Sequence, residues 1–152
     1  MTANRFDRIA LVVHPRRELG RALATLRAWA GEQGAELVQL ASPGQEQQVA
    51  PPGEVDGADL VVALGGDGTT LAALRAAAAV HLPVLGIACG SLGALTAVKA
   101  EQIDDALHRV AAGDWTEKRL PVIVIEREGA QDLRAINDLV LCLLYTSPSP
   151  RD

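Results

Sequence analysis

An apolar run, Leu60-Val61-Val62-Ala63-Leu64, breaks into Gly65-Gly66-Asp67-Gly68-Thr69 and then into an Ala/Leu-rich segment over 71–80. The first piece has the length and residue types of a buried strand, and the last can form only a helix. Strand, glycine turn and helix N-terminus in that order make an anion site. The turn exposes backbone N–H groups, the helix dipole adds about half a positive charge, and glycine lets a ligand approach the main chain closely. Asp67 departs from a simple phosphate cradle, because it places a carboxylate where phosphate oxygens would sit. Like charges there repel unless a divalent metal lies between them or the carboxylate faces a hydroxyl. A polyphosphate and an alcohol sharing one site imply phosphoryl transfer. The bland alternative makes Asp67 a helix cap on the N–H groups of Thr69 or Thr70. A carboxylate buried under the turn and bonded only to its own main chain would remove the phosphotransferase reading.

The flanking chain repeats the strand–helix alternation. Ile9-Ala10-Leu11-Val12-Val13 reads as a strand covered on both faces and stops at His14-Pro15. Leu19, Ala22, Leu23, Leu26, Trp29 and Ala30 follow at helical spacing, with Arg16, Arg17, Arg21 and Arg27 interleaved and Gly31 and Gly34 as stops. Residues 36–40 read as a second strand, and 42–57, rich in Pro, Gly and Gln, as a loop with room for mobility. Val84-Leu85-Gly86-Ile87 is a further short strand, running into a second glycine loop, Gly90-Ser91-Leu92-Gly93. An amphipathic helix is expected over 100–113, with Ile103, Ala106, Leu107 and Val110 on one side. This alternation predicts an α/β fold, a doubly wound, Rossmann-like parallel sheet over 1–115 with its ligands at the strands' carboxyl ends. After Trp115 the pattern changes. Strands over 119–127 and 133–141 flank a turn at Gly129-Ala130-Gln131-Asp132, the start of a truncated antiparallel β domain over 116–141. The Ser/Pro-rich end, 142–152, has no core-facing period and resembles translated adapter sequence, so it is read as a non-native tail.

The bulk properties exclude several classes. With 152 residues the chain can bury one ordinary core, and 49% hydrophobic but only 3% aromatic residues describe an Ala/Val/Leu-rich α/β protein. A net charge of −5 without a basic stripe speaks against nucleic acid. No apolar run is long enough to cross a bilayer, no signal-peptide core follows the N-terminus, and two cysteines are too few for a disulfide framework. A cytoplasmic setting is expected. His81 and His108 are isolated, so no residue is assigned to a metal. His14 reads as a strand stop that could also face the ligand, Arg119 as a surface arginine, and Cys89 as a small buried residue rather than a reactive thiol.

Three pieces together resemble the NAD kinase family: Gly65-Gly66-Asp67-Gly68-Thr69, the loop Gly86-Ile87-Ala88-Cys89-Gly90-Ser91-Leu92-Gly93-Ala94-Leu95, and Ala135-Ile136-Asn137-Asp138. Their order and spacing also agree with that family, over residues 1–141. The resemblance implies phosphorylation of the adenosine ribose 2′-hydroxyl of NAD, with ATP or polyphosphate as donor and a divalent metal, Mg, as cofactor. By the same resemblance Asp67 contacts or deprotonates the accepting hydroxyl. Gly65, Gly66, Gly68 and Thr69 form the phosphate-facing turn, Gly90, Leu92 and Gly93 form the second ligand loop, and Asn137 with Asp138 bonds the dinucleotide. It also implies a homo-oligomer for the full-length protein and an inactive chain at this length. For Gly90 and Gly93 a tight connection with close backbone packing is the equal alternative.

The departures from the family pattern are specific. Ala88 stands in place of the usual Asn, Ala94 in place of Phe, Asp138 in place of Glu, and Ala72 where an Arg is common. A diacylglycerol- or sphingoid-lipid kinase shares the first glycine turn but is disfavoured by Leu92-Gly93 and Asn137-Asp138. A non-catalytic nucleotide-binding module is the reading from another class.

Overall fold

A computed structural model describes residues 5–136, so Asn137, Asp138 and the 142–152 tail lie outside the described residues. The chain separates into two compact units, Met1–Glu117 and Lys118–Asp152. The first is built in the order β1 (Arg8–Val13), α1 (Gly20–Gln33), β2 (Glu36–Gln39), β3 (Leu60–Gly65), α2 (Asp67–Ala78), β4 (Val84–Ala88), β5 (Val98–Lys99) and α3 (Ile103–Ala111), with a 3₁₀ turn over Ala100–Gln102 before α3. Its five strands are all parallel and lie in the order β2-β1-β3-β4-β5. The chain therefore leaves β1 toward one edge and returns to start β3 on the other side. The expected doubly wound sheet is present, with its switch point between β1 and β3.

Alternation along the central strands sorts the core by size. Ile9, Leu11 and Val13 of β1 and Leu60, Val62 and Leu64 of β3 pack with Leu26 and Trp29 of α1 and Ile103 and Leu107 of α3. The opposite face carries Ala10, Val12, Val61 and Ala63, and receives Ala73 and Ala77 of α2. Small residues on both sides of that interface let α2 lie close to the sheet. Each buried Leu, Ile or Val contributes about 1.5–3 kcal/mol relative to exposure, so the face under α1 and α3 supplies most of the apolar stabilisation.

Several local readings are corrected. Helix α1 passes through Gly31 and stops at Gly34, whose φ of 69° is the left-handed conformation of a helix C-terminus. Helix α2 begins at Asp67, four residues before the Ala/Leu run, because the glycine turn itself forms the first helical turn. Helix α3 is shorter than 100–113, its first turn being 3₁₀. Residues 42–57 form a loop that is fastened down. Gln39 donates to the Gln47 carbonyl and accepts from the N–H of Val49, Gln47 donates to the carbonyls of His14 and Arg17, and Arg16 pairs with Glu46.

In the second unit, β6 (Ile123–Ile125) and β7 (Leu133–Ala135) form an antiparallel pair; β6 is shorter than the strand expected over 119–127, and residues 137–141 of the strand expected over 133–141 lie outside the described residues. Ile123 and Val124 are consecutive, so they point to opposite faces, and both are exposed. No helix among the described residues is long and apolar enough to cross a membrane.

Candidate functional site

Strand β3 ends at Gly65, and Gly66 precedes α2 in an extended conformation. Thr70 closes this turn twice, through its N–H and its hydroxyl, both donating to the Gly66 carbonyl at 3.0 Å. Gly65 is obligatory for packing: a Cβ there would lie 2.2 Å from Thr69 Oγ1. Gly66 and Gly68 differ, because nothing lies within 4 Å of where their Cβ would be. The first N–H groups of α2 have no intrahelical partner and point along the axis toward the strand ends. They open on a cleft of about 400 Å³ at the switch point, lined among others by His14, Arg17, Ser42, Gly66, Gly68 and Thr69.

His14 terminates β1 and its ring is fixed. Nδ1 accepts the N–H groups of Arg16 and Arg17 at 3.2 and 3.0 Å, so the neutral ring carries its proton on Nε2. Arg17 precedes α1 rather than lying on it. Its guanidinium donates to the Cys89 carbonyl at 3.1 Å and lies over Gly90, where a Cβ would be 2.3 Å from Nη1. Among the described residues no carboxylate lies within ion-pair distance of Arg17. Sequence reasoning missed this residue, since the helical spacing around it assigned it to a solvent face. The available signal was its place just beyond the carboxyl end of a central strand.

Asp67 does not cap its own helix, and no side-chain cap bond is made there. Its carboxylate reaches across to the second glycine loop. Oδ2 accepts the N–H of Ala94 at 3.0 Å, and Oδ1 accepts that of Leu95 at 2.9 Å. The Leu95 N–H, then that of Ala94, hold its carboxyl below the usual carboxylate range against a smaller opposing push from desolvation, with Thr96 adding to the lowering. Gly93 makes this approach possible, because a Cβ there would stand 2.1 Å from Oδ1.

The residues singled out in the sequence thus fall into two groups. Gly66, Gly68 and Thr69 line the cleft with Arg17 and His14, while Gly65 is buried behind them. Gly90 and Gly93 sit against side chains of the protein, Arg17 and Asp67, and Leu92 is 51% exposed at the loop tip. Cys89 is half-buried, and burial pushes its thiol up against the counteracting Arg17 charge. Among the described residues no three His, Cys, Asp or Glu side chains converge as a metal cage.

A parallel sheet with an open glycine turn, a helix N-terminus and an arginine at its switch point defines an α/β domain of the doubly wound class, the arrangement in which anionic ligands are commonly held at the strands' carboxyl ends. The profile of the ATP-NAD kinase N-terminal domain matches residues 9–115. The chain belongs to the NAD kinase family. It is 37% identical over 116 residues to an NAD kinase of Mycobacterium leprae, covering 72% of this chain and 37% of that protein. The NAD kinase of Geobacter sp. strain M21 is 40% identical over 88 residues, covering 55% and 31%. The chain thus spans about a third of the length of the curated relatives it matches. A crystal structure of yeast NADH kinase complexed with NADH superposes with a TM-score of 0.54 at 15% identity, covering 86% of this chain and 46% of that one. At that identity the likeness is one of fold.

Proposed function

We propose that this chain is the donor-side part of an enzyme that transfers a phosphoryl group from ATP or polyphosphate to the adenosine ribose 2′-hydroxyl of NAD, giving NADP. The observation that carries the reading is the direction of Asp67: an ionised carboxylate at the mouth of α2, turned away from its own helix toward the second glycine loop, while Gly66 and Gly68 on either side of it line a cleft that Arg17 also walls. In this reading the N–H groups near Gly66, Gly68 and Thr69 bind the donor's phosphates. Arg17 and the His14 Nε2–H supply further donors to the same oxygens. Asp67 accepts a hydrogen bond from the ribose hydroxyl through a remaining lone pair and aims it at the terminal phosphorus. The new P–O bond forms as the bond to the leaving phosphate breaks, and the hydroxyl proton passes to Asp67 late. A loose transition state needs orientation and charge compensation more than a strong base, which suits a carboxylate of lowered pKa. A bound Mg²⁺ would supply charge neutralisation between phosphates. Asn137 and Asp138 are assigned to the dinucleotide on the family resemblance. A cytoplasmic, homo-oligomeric full-length protein belongs to the same reading, as does an inactive fragment comprising 1–115, an incomplete β domain over 116–141 and a foreign tail over 142–152.

One observation favours a second reading. Both oxygens of Asp67 already accept amide protons, so the carboxylate could act solely as a clamp in a nucleotide-binding module without chemistry. The full-length protein, given NAD, ATP and Mg²⁺, decides between them. NADP formation in the wild type and its loss in Asp67→Asn, with ATP affinity and the melting curve retained, is the expected result. ATP binding without NADP formation selects the module, and turnover retained by Asp67→Asn rejects the role given to Asp67.

A further inference from the structure

We infer that the second glycine loop holds the Asp67 carboxylate in its working position, so that Gly93 and Thr96 are positioning residues for phosphoryl transfer rather than ligand contacts. The inference rests on the role proposed above for Asp67. Three observations converge on it. The successive N–H groups of Ala94 and Leu95 both point at the carboxylate, forming the concave amide nest that proteins use for anions, with the protein's own side chain as occupant. The preceding N–H, of Gly93, is turned the other way and donates to Thr96 Oγ1 at 2.9 Å. Thr96 is buried, so this bond fixes the loop's curvature from inside. Finally, the carboxylate occupies the volume that any side chain at 93 would need, with Cγ at 2.5 Å and both oxygens within 2.7 Å of the ideal Cβ position.

The loop is anchored independently of any ligand. The N–H of Ala97 donates to the Gly86 carbonyl at 2.7 Å, and that of Cys89 to the Gly65 carbonyl at 2.8 Å, which ties both ends of the loop to the sheet. An exposed aspartate on a helix terminus would otherwise sample several rotamers. Here two bonds from a fixed loop select one of them. The obstacle to a residue at 93 is the end of a movable side chain, so adding a methyl there turns Asp67 aside and leaves the sheet intact.

The test uses the full-length protein with NAD, ATP and Mg²⁺, and compares Gly93→Ala, Thr96→Val and Thr96→Ser. Gly93→Ala and Thr96→Val are expected to lower kcat by about 10²-fold, since a displacement near 1 Å of a reacting group has that effect. KM for ATP should stay within about twofold, because the donor's contacts are untouched. Thr96→Ser keeps the hydroxyl and should restore most of kcat. Amide exchange at Ala94 and Leu95 should be faster in Thr96→Val than in the wild type and recover in Thr96→Ser. Wild-type kcat in Thr96→Val, or a rise in KM with kcat intact, overturns the inference and leaves the kinase reading standing. A wild type that binds ATP yet forms no NADP overturns both. Should Gly93→Ala fail to fold, the Val/Ser pair at 96 decides alone.

Discussion

The two glycine loops at the carboxyl ends of β3 and β4 look alike as sequence and behave oppositely as structure. In the first, Gly66 and Gly68 border empty space beside a cleft, so the missing side chains leave room for something from outside. In the second, the space released by Gly90 and Gly93 is filled by Arg17 and Asp67. One loop is open to a ligand, and the other is a mould for the charged groups that face it. A glycine therefore reports close approach, and only the neighbours say whether a ligand or the protein itself does the approaching.

This contrast can be broken by substitution, and the largest effect is expected where glycine serves packing alone. Gly65→Ala drives a methyl into buried Thr69, whose branched side chain has little rotamer freedom in a helix. It should destabilise the domain by about 2–3 kcal/mol, read from urea denaturation. Gly68→Ala should do the reverse to stability, raising it by about 0.5 kcal/mol because the position is helical with open space around it. In the full-length protein the same change should raise the apparent Kd for ATP several-fold, as the methyl intrudes where the proposed function puts the donor's phosphate. A Gly68→Ala variant with unchanged ATP affinity would falsify the idea that the first loop's space is kept for a ligand.

Glycine required for conformation rather than room supplies a third case. His81 follows α2 with φ at 57°, while the Leu82 N–H bonds back to the Ala77 carbonyl at 3.1 Å. That is the left-handed helix stop usually given to glycine, so His81→Gly should stabilise by a few tenths to about 1 kcal/mol in a thermal melt. The smallest effect concerns pH. Hydrogen bonds from Leu95 and Ala94 lower the Asp67 pKa, so its folded value lies below its unfolded one. The clamp's contribution is then fully present above the unfolded value and disappears as pH falls through the folded value, below about pH 4. Carboxyl ¹³C titration should show Asp67 still ionised when ordinary aspartates are half protonated, and an ordinary midpoint would remove the clamp from solution.

The sheet was largely legible in the sequence because β1, β3 and β4 are continuous apolar runs, which only a strand covered on both faces requires. Val98–Lys99 was not, since two residues carry no periodicity and pair with β4 only through its register. The strand expected over 119–127 is shorter, since most side chains there are exposed and little burial rewards a longer alternating pattern. Asp67 stood out as a carboxylate between glycines, yet its partners, Ala94 and Leu95, lie far along the chain and act through main-chain N–H groups that any residue but proline possesses. Arg17 was hidden for a similar reason, because helical spacing extrapolated too far toward the strand.

Local chemistry was enough to establish the layered α/β architecture and the turn on which the site is built, for apolar period and glycine placement act between neighbours in sequence. Which glycines stay open, where the Asp67 carboxylate points and that Arg17 joins the cleft depended on the packing of β1, β3 and β4 side by side. Those contacts join residues as much as 72 positions apart, and nothing in residue type or spacing encodes a bond to a backbone amide.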